Sequence, residues 1–241
     1  MVVTPGADIE LAVQGALFSG FGPAGQRCMS LGTLLVHESV HDEFIGKRAA
    51  AVSAAAIGDP AQDVLYGPVL ARKFADRFEG YLGWIQPHHT VLGSTGVGRI
   101  TAANPRAGFV GDPGDGLFYH PAIVDGVQAG DALFREETFG PIVSVMTYAS
   151  LGSAIALANV RFRRGIGAGM VSANNSTSGA EAHLPFGGNG KPGNGSRQPG
   201  IWVLDQFTRW RALNWDYSGR LQKAQMDVAD LAADLGFRLD E

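Results

Sequence analysis

Phe21-Gly22-Pro23-Ala24-Gly25-Gln26-Arg27-Cys28-Met29-Ser30-Leu31-Gly32-Thr33-Leu34-Leu35-Val36 runs from a glycine-rich turn, through the only cysteine of the protein, into a short apolar segment. A thiol does covalent chemistry as its thiolate, which needs cationic neighbours, a helix N-terminus or inward-turned backbone N–H groups. Gly22 and Gly25, with Pro23 between them, suit a close approach of backbone to a ligand. A lone cysteine also reads as a small buried hydrophobe, and this stretch by itself leaves both readings open.

The flanks of that stretch read as an α/β chain. Before it, Asp8 to Gly20 places Ile9, Ala12, Val13, Ala16 and Leu17 on one face of a helix, with Asp8 as N-cap. After it, Thr33 to His37 is a strand, and Ser39 or Asp42 caps a helix whose Phe44, Ile45, Ala49 and Val52 form an apolar face up to Gly58-Asp59-Pro60. Ala71 to Leu82 is a further helix. Val91 to Val124 alternates glycine with short apolar runs, and Phe118 to Val124 reads as a strand pair with turns. Ile142 to Met146 is a strand, Ser150 to Leu157 a short helix, and Met170 to Ala173 another strand. A polar glycine-rich segment follows to Gly200, then Leu204 to Tyr217 reads as a helix and an edge strand. Strands alternating with helices predict an α/β architecture.

Composition narrows the classes. The 241 residues suffice for one large domain or two small ones, and 45% hydrophobic with 17% charged residues is an ordinary globular balance. A net charge of -4 gives no reason to expect nucleic acid or an anionic membrane as partner. A single cysteine forms no intrachain disulfide. With no basic region ahead of an apolar stretch at Met1–Asp8, the reading is a cytoplasmic protein. No apolar run approaches the ~20 residues that span a bilayer.

Two short motifs read as coincidences. His37-Glu38-Ser39-Val40-His41 matches the zinc-protease pattern, but that chemistry needs both histidines one turn apart on a single helix. Here His37 ends a strand and Ser39 begins a helix, so surface histidines and no metal are expected. Gly188-Asn189-Gly190-Lys191-Pro192-Gly193 matches the dinucleotide fingerprint, which works only between a strand and a helix. Pro192, Pro199 and Gly200 disfavour a helix, so this is a loop. His88-His89 beside Pro87 reads as exposed loop.

Three separated segments, Gly25-Gln26-Arg27-Cys28, Glu136-Glu137-Thr138-Phe139-Gly140-Pro141 and Leu184-Pro185-Phe186-Gly187-Gly188, together resemble the aldehyde dehydrogenase superfamily, specifically its catalytic half. Thr177-Ser178-Gly179-Ala180-Glu181 and Asp216-Tyr217-Ser218-Gly219 are most similar to the branch that includes aminoadipate-semialdehyde dehydrogenase. The resemblance implies an open, mostly parallel sheet flanked by helices with a C-terminal edge strand. It also implies oxidation of an aldehyde to an acid with NAD or NADP. In the family a thiolate attacks the aldehyde to give a thiohemiacetal, hydride passes to the nicotinamide, and water hydrolyses the thioester left behind.

Carried over by position, Cys28 matches the nucleophile, and its own N–H helps hold the oxyanion. Glu137 matches the carboxylate that accepts hydrogen bonds from the nicotinamide ribose, and Phe139 the aromatic beside the nicotinamide. Arg27, Gly179 and Ala180 match positions that bind a substrate carboxylate in the aminoadipate-like branch. A capping or surface carboxylate for Glu137, and a surface ion pair for Arg27, are the plain structural alternatives.

The resemblance starts just before the nucleophile, so the dinucleotide-binding half, its general-base glutamate and its oxyanion asparagine have no counterpart here. Losing an oxyanion donor costs about 10²–10³ in rate, and losing a general base roughly 10²–10⁴. Within the chain, Leu157-Ala158-Asn159-Val160 runs straight into Arg161-Phe162-Arg163-Arg164, where the family has a further strand and most of a helix. Gly190 and Lys191 are transposed relative to the family order. The expected organisation is a partial catalytic domain over residues 1–203 and an edge strand with tail over 204–241. Alone, the chain is expected to be inactive or nearly so. The alternatives are an assembly module that forms homo- or hetero-oligomers through its C-terminal strand, and a cysteine-dependent esterase.

Overall fold

A computed structural model describes residues 1–162, 175–177, 182–188, 198–209 and 211–213. Its centre is a five-stranded sheet in the order β1 (Val2–Val3), β2 (Thr33–His37), β7 (Ile142–Tyr148), β6 (Ala122–Asp125), β4 (Thr90–Leu92). Every neighbouring pair is parallel except β4 with β6, which are antiparallel. The central strands read as near-continuous apolar runs because both of their faces are covered, as parallel strands require. Leu34, Val36, Ile123, Val124, Val143 and Val145 are fully buried. A separate two-residue parallel ladder joins β3 (Ile57–Gly58) to β5 (Phe109–Val110).

Helix α1 (Ile9–Phe21) starts as its sequence dictates: Asp8 Oδ1 accepts from the Leu11 N–H at 3.0 Å. Its Val13 and Ala16 are buried. At Gly20 the helix comes so close to β7 that a Cβ would stand 2.8 Å from Val143 Cγ2. Helix α2 (His41–Ala54) packs on α1, with Phe44, Ile45 and Val52 buried as the apolar periodicity predicts. Its start departs from the sequence reading. A 3-10 turn over Glu38–Val40 precedes it, Val40 is the N-cap, and neither Ser39 nor Asp42 caps it. Instead the His37 ring accepts from the Ser39 N–H at 3.2 Å, so the imidazole fills the role expected of a hydroxyl or carboxylate.

Helix α3 (Arg72–Leu82) buries Ala75, Phe78 and Tyr81. The four-residue α4 (Ala132–Arg135) leads into the Glu136–Pro141 loop. Helix α5 (Leu151–Phe162) extends five residues beyond the Leu157 end read from sequence. Tyr148 closes the end of β7 onto β1 by donating to the Val3 carbonyl at 3.0 Å. The expected strand over Met170–Ala173 lies outside the described residues.

The chain divides into two compact units, Met1–Val203 and Leu204–Glu241. In the second, α6 (Leu204–Phe207) is a single turn, and Thr208 Oγ1 donates back to the Leu204 carbonyl. Most of the expected edge strand, including Asp216 and Tyr217, lies outside the described residues.

Candidate active site

Cys28 is exposed and occupies a tight turn. The turn is closed twice, by the Ser30 N–H on the Arg27 carbonyl at 3.0 Å and by the Arg27 N–H on Ser30 Oγ at 3.1 Å. Two further bonds fix it in space. The Leu31 N–H donates to the Ser19 carbonyl in the last turn of α1 at 2.9 Å, and Gln26 Oε1 accepts from the Leu70 N–H at 3.0 Å. Among the described residues, the N–H of Cys28 meets no acceptor. A thiol at the crown of a turn beside its own free N–H combines a nucleophile with one donor for a developing oxyanion.

The other sequence-predicted groups fall around this turn to different degrees. Gly25 adopts φ +67° and lies so close to the Glu137–Phe139 loop that a Cβ would stand 2.1 Å from the Gly140 carbonyl oxygen. Only glycine fits there, and this contact joins the cysteine turn to the acidic loop. On that loop Glu137 is exposed, Thr138 is buried, and Phe139 is half-buried. Arg27 is exposed. The Met29 carbonyl accepts from Thr177 Oγ1 at 2.9 Å, which ties Thr177 to the same turn. Gly179 and Ala180 themselves, like Gly190 and Lys191, lie outside the described residues. Phe186 pairs with Gln198 by mutual backbone bonds of 2.9 and 2.8 Å.

Sequence reasoning missed Gln26 and Thr177, whose side chains brace the turn. The signal for Gln26 was its place between Gly25 and Arg27. Thr177 heads the Thr177–Glu181 segment quoted above, but its bond was not legible there, because the partner is a carbonyl 148 residues away.

The histidines resolve differently. His37 ends β2 and His41 begins α2, so the zinc-protease spacing is split across a bend, as read from the sequence. His41 is not a free surface group, however: its ring reaches Asp42 at 2.8 Å and Asp125 at 3.0 Å. Burial pulls its pKa down, but the hydrogen bonds to the two carboxylates outweigh that and raise it.

His89 corrects the exposed-loop reading. Its side chain is fully buried, and Nε2 meets Asp131 Oδ2 at 2.8 Å, while His88 Nε2 meets the same oxygen at 3.1 Å. Asp131 also accepts from the Gln128 N–H at 2.7 Å. Among the described residues this is the only histidine–carboxylate group compact enough to hold a metal. Its hydrogen bonds argue against one. His89 Nδ1 accepts from the Gln86 N–H at 2.9 Å, so its proton must sit on Nε2, the nitrogen a metal would need. The group is a brace for the start of α4.

The family model described as "Aldehyde dehydrogenase family" matches residues 1–161 and 160–213. This chain belongs to the aldehyde dehydrogenase family. It is 32% identical over 233 residues to a benzaldehyde dehydrogenase of Bacillus subtilis, covering 89% of this chain and 44% of that protein. It is 30% identical over 240 residues to an alpha-aminoadipic semialdehyde dehydrogenase of Bos taurus, covering 91% and 42%. Among solved structures, a salicylaldehyde dehydrogenase of Pseudomonas putida complexed with salicylaldehyde superposes with a TM-score of 0.72 at 27% identity, covering 90% of this chain and 46% of that one. A betaine aldehyde dehydrogenase of Staphylococcus aureus in complex with NAD+ gives 0.72 at 26%, covering 86% and 42%. The chain thus spans about half the length of the aldehyde dehydrogenases it matches. Among the described residues no helix is long and apolar enough to cross a membrane.

Proposed function

We propose that this chain carries the nucleophilic half of an NAD(P)-dependent aldehyde dehydrogenase, with Cys28 as the group that attacks the aldehyde. The carrying observation is the exposed Cys28 at the crown of a doubly closed turn, its N–H open, with Gly25 pressed on the loop that bears Glu137 and Phe139. The Cys28 sulfur forms a bond to the carbonyl carbon, and the carbonyl oxygen takes the charge and the Cys28 N–H. Arg27, exposed one residue earlier, suits a substrate that carries an acidic group, with Gly179 and Ala180 as the proposed backbone partners.

The residues present suit a nicotinamide nucleotide in part. Glu137 is an exposed carboxylate, able to accept two ribose hydroxyls, and Phe139 offers a half-buried ring as a wall for the nicotinamide. When bound, NAD or NADP supplies the hydride acceptor. Residues 1–203 form the partial catalytic domain in this reading, and residues 204–241 supply a strand that pairs with another subunit. The family model meets the chain in two pieces that overlap at residues 160–161. That supports a strand–helix segment missing from the interior.

Cysteine-dependent ester hydrolysis is favoured by the same turn, because acyl transfer to Cys28 uses no nicotinamide. One experiment serves both readings. The purified chain is given an aldehyde with NAD or NADP, and separately an activated ester such as p-nitrophenyl acetate. NADH or NADPH formation by the chain alone is expected to be below detection, while ester hydrolysis is measurable and is lost in Cys28→Ala. Ester hydrolysis that survives Cys28→Ala removes Cys28 from its role.

A further inference from the structure

Two independent features converge on the five residues that lead into the cysteine turn. The first is a charge. Arg48 of α2 is fully buried, and among the described residues its Nε, Nη1 and Nη2 have no hydrogen-bond partner. Its guanidinium lies over the Phe21 ring at 5.2 Å, and Nη2 stands 3.1 Å from where a Gly20 Cβ would be. Burial alone lowers its pKa to about 9, so it is still cationic at neutral pH. A buried cation with no acceptor is among the least favourable arrangements a core contains.

The second feature is strain. Pro23 adopts φ +23° and Ala24 φ +54°, followed by Gly25 at +67°. The proline ring favours φ near −65°, and a positive φ costs any residue with a Cβ. Pro23 is exposed, so packing against the core does not hold it there. The run is held at its far end, where Gly25 is wedged on the Gly140 carbonyl.

We propose that Phe21–Gly25 is a two-state turn, with the buried Arg48 cation as the spring that opens it. In the closed state, the one described above, the Gly22 N–H donates to the Phe18 carbonyl that ends α1. In the open state Gly22 leaves that carbonyl, Pro23 returns to its preferred φ, and the Phe21 ring moves off the Arg48 guanidinium. Water then reaches the cation and relieves its burial without an acceptor. Opening also withdraws Gly25 from Gly140, so the Cys28 turn and the Glu137 loop are coupled only in the closed state. A ligand or partner that needs both loops selects closure, and its affinity is reduced by the fraction of molecules that are open. The proposal stands on the turn's own geometry and does not depend on the chemistry assigned to Cys28.

Hydrogen exchange read by mass spectrometry on the full chain tests it, with Arg48→Met and Pro23→Asn as variants. Methionine fills the same space without charge, and asparagine tolerates a positive φ. Each variant is expected to slow exchange in peptides covering residues 17–31 by about tenfold, while peptides from β2 and β7 change little. Unchanged exchange over 17–31 in both variants overturns the proposal. So does slowing that is uniform along the chain, because that reports global stability rather than a local opening. Pro23 is exposed, so Pro23→Asn carries the test by itself if Arg48→Met does not fold.

Discussion

Gly25 shows how much a single residue decides. Its φ of +67° and the 2.1 Å gap between a built Cβ and the Gly140 oxygen both forbid a side chain. While the turn is closed neither side has room to give, because Gly140 is itself packed on the Phe78 ring and Gly25 is tied through the neighbouring Gln26. Gly25→Ala is therefore expected to destabilise the chain by about 3 kcal/mol, as overpacking at a fixed backbone contact does. Urea unfolding of the two proteins measures this. A loss within about 0.5 kcal/mol, the usual surface value, would show that the two loops are not in contact. The motif around Cys28 was legible in the sequence, but this contact was not. It joins residues 25 and 140, and only the fold brings them together.

At the scale of elements, what was legible followed from periodicity. The helix behind Asp8 repeats an apolar face every three or four residues, while the strands at Thr33 and Ile142 are short continuous apolar runs, told from helix by their length and β-branched residues. The elements misread were those whose ends are set by unusual partners. A histidine ring caps the turn before α2, and a buried histidine braces α4. Arg48 was illegible for a related reason: an arginine on an amphipathic helix ordinarily faces water.

The brace at α4 makes a testable statement about pH. Burial works to raise the Asp131 pKa, but the hydrogen bonds from Gln128, His89 and His88 outweigh it and hold the group at about 2, below its ordinary 3.8. A carboxyl group depressed by folding contributes stability above its unfolded pKa and loses it as pH falls toward the folded one. Asp131→Asn is thus expected to be less stable than the parent at pH 6, with the difference closing between about pH 4 and pH 2. Denaturant melts at several pH values follow it. A gap that stays constant down to pH 2 means that the carboxylate charge plays no part in seating α4.

At the scale of the whole molecule, the question is what half of a cofactor site is worth. In the proposed reading Glu137 and Phe139 hold the nicotinamide ribose end, but a dinucleotide's affinity is spread over its whole length, and the pyrophosphate prefers a strand-to-helix junction. Ligand stabilisation grows as RT ln(1 + [L]/Kd). A complete site with Kd near 10 μM, given about 1 mM cofactor, gains about 2.7 kcal/mol, several degrees of melting temperature. If the residual contacts leave Kd near 10 mM, the same concentration gives about 0.06 kcal/mol, too small to see in a melt. The 241-residue chain is therefore expected to melt at the same temperature with and without 1 mM NAD or NADP, to within about half a degree. A shift of several degrees would mean that residues 1–203, with or without the C-terminal unit, build a cofactor site of their own. It would also remove the reason for expecting no dehydrogenase turnover, since Cys28 would then stand beside a bound hydride acceptor.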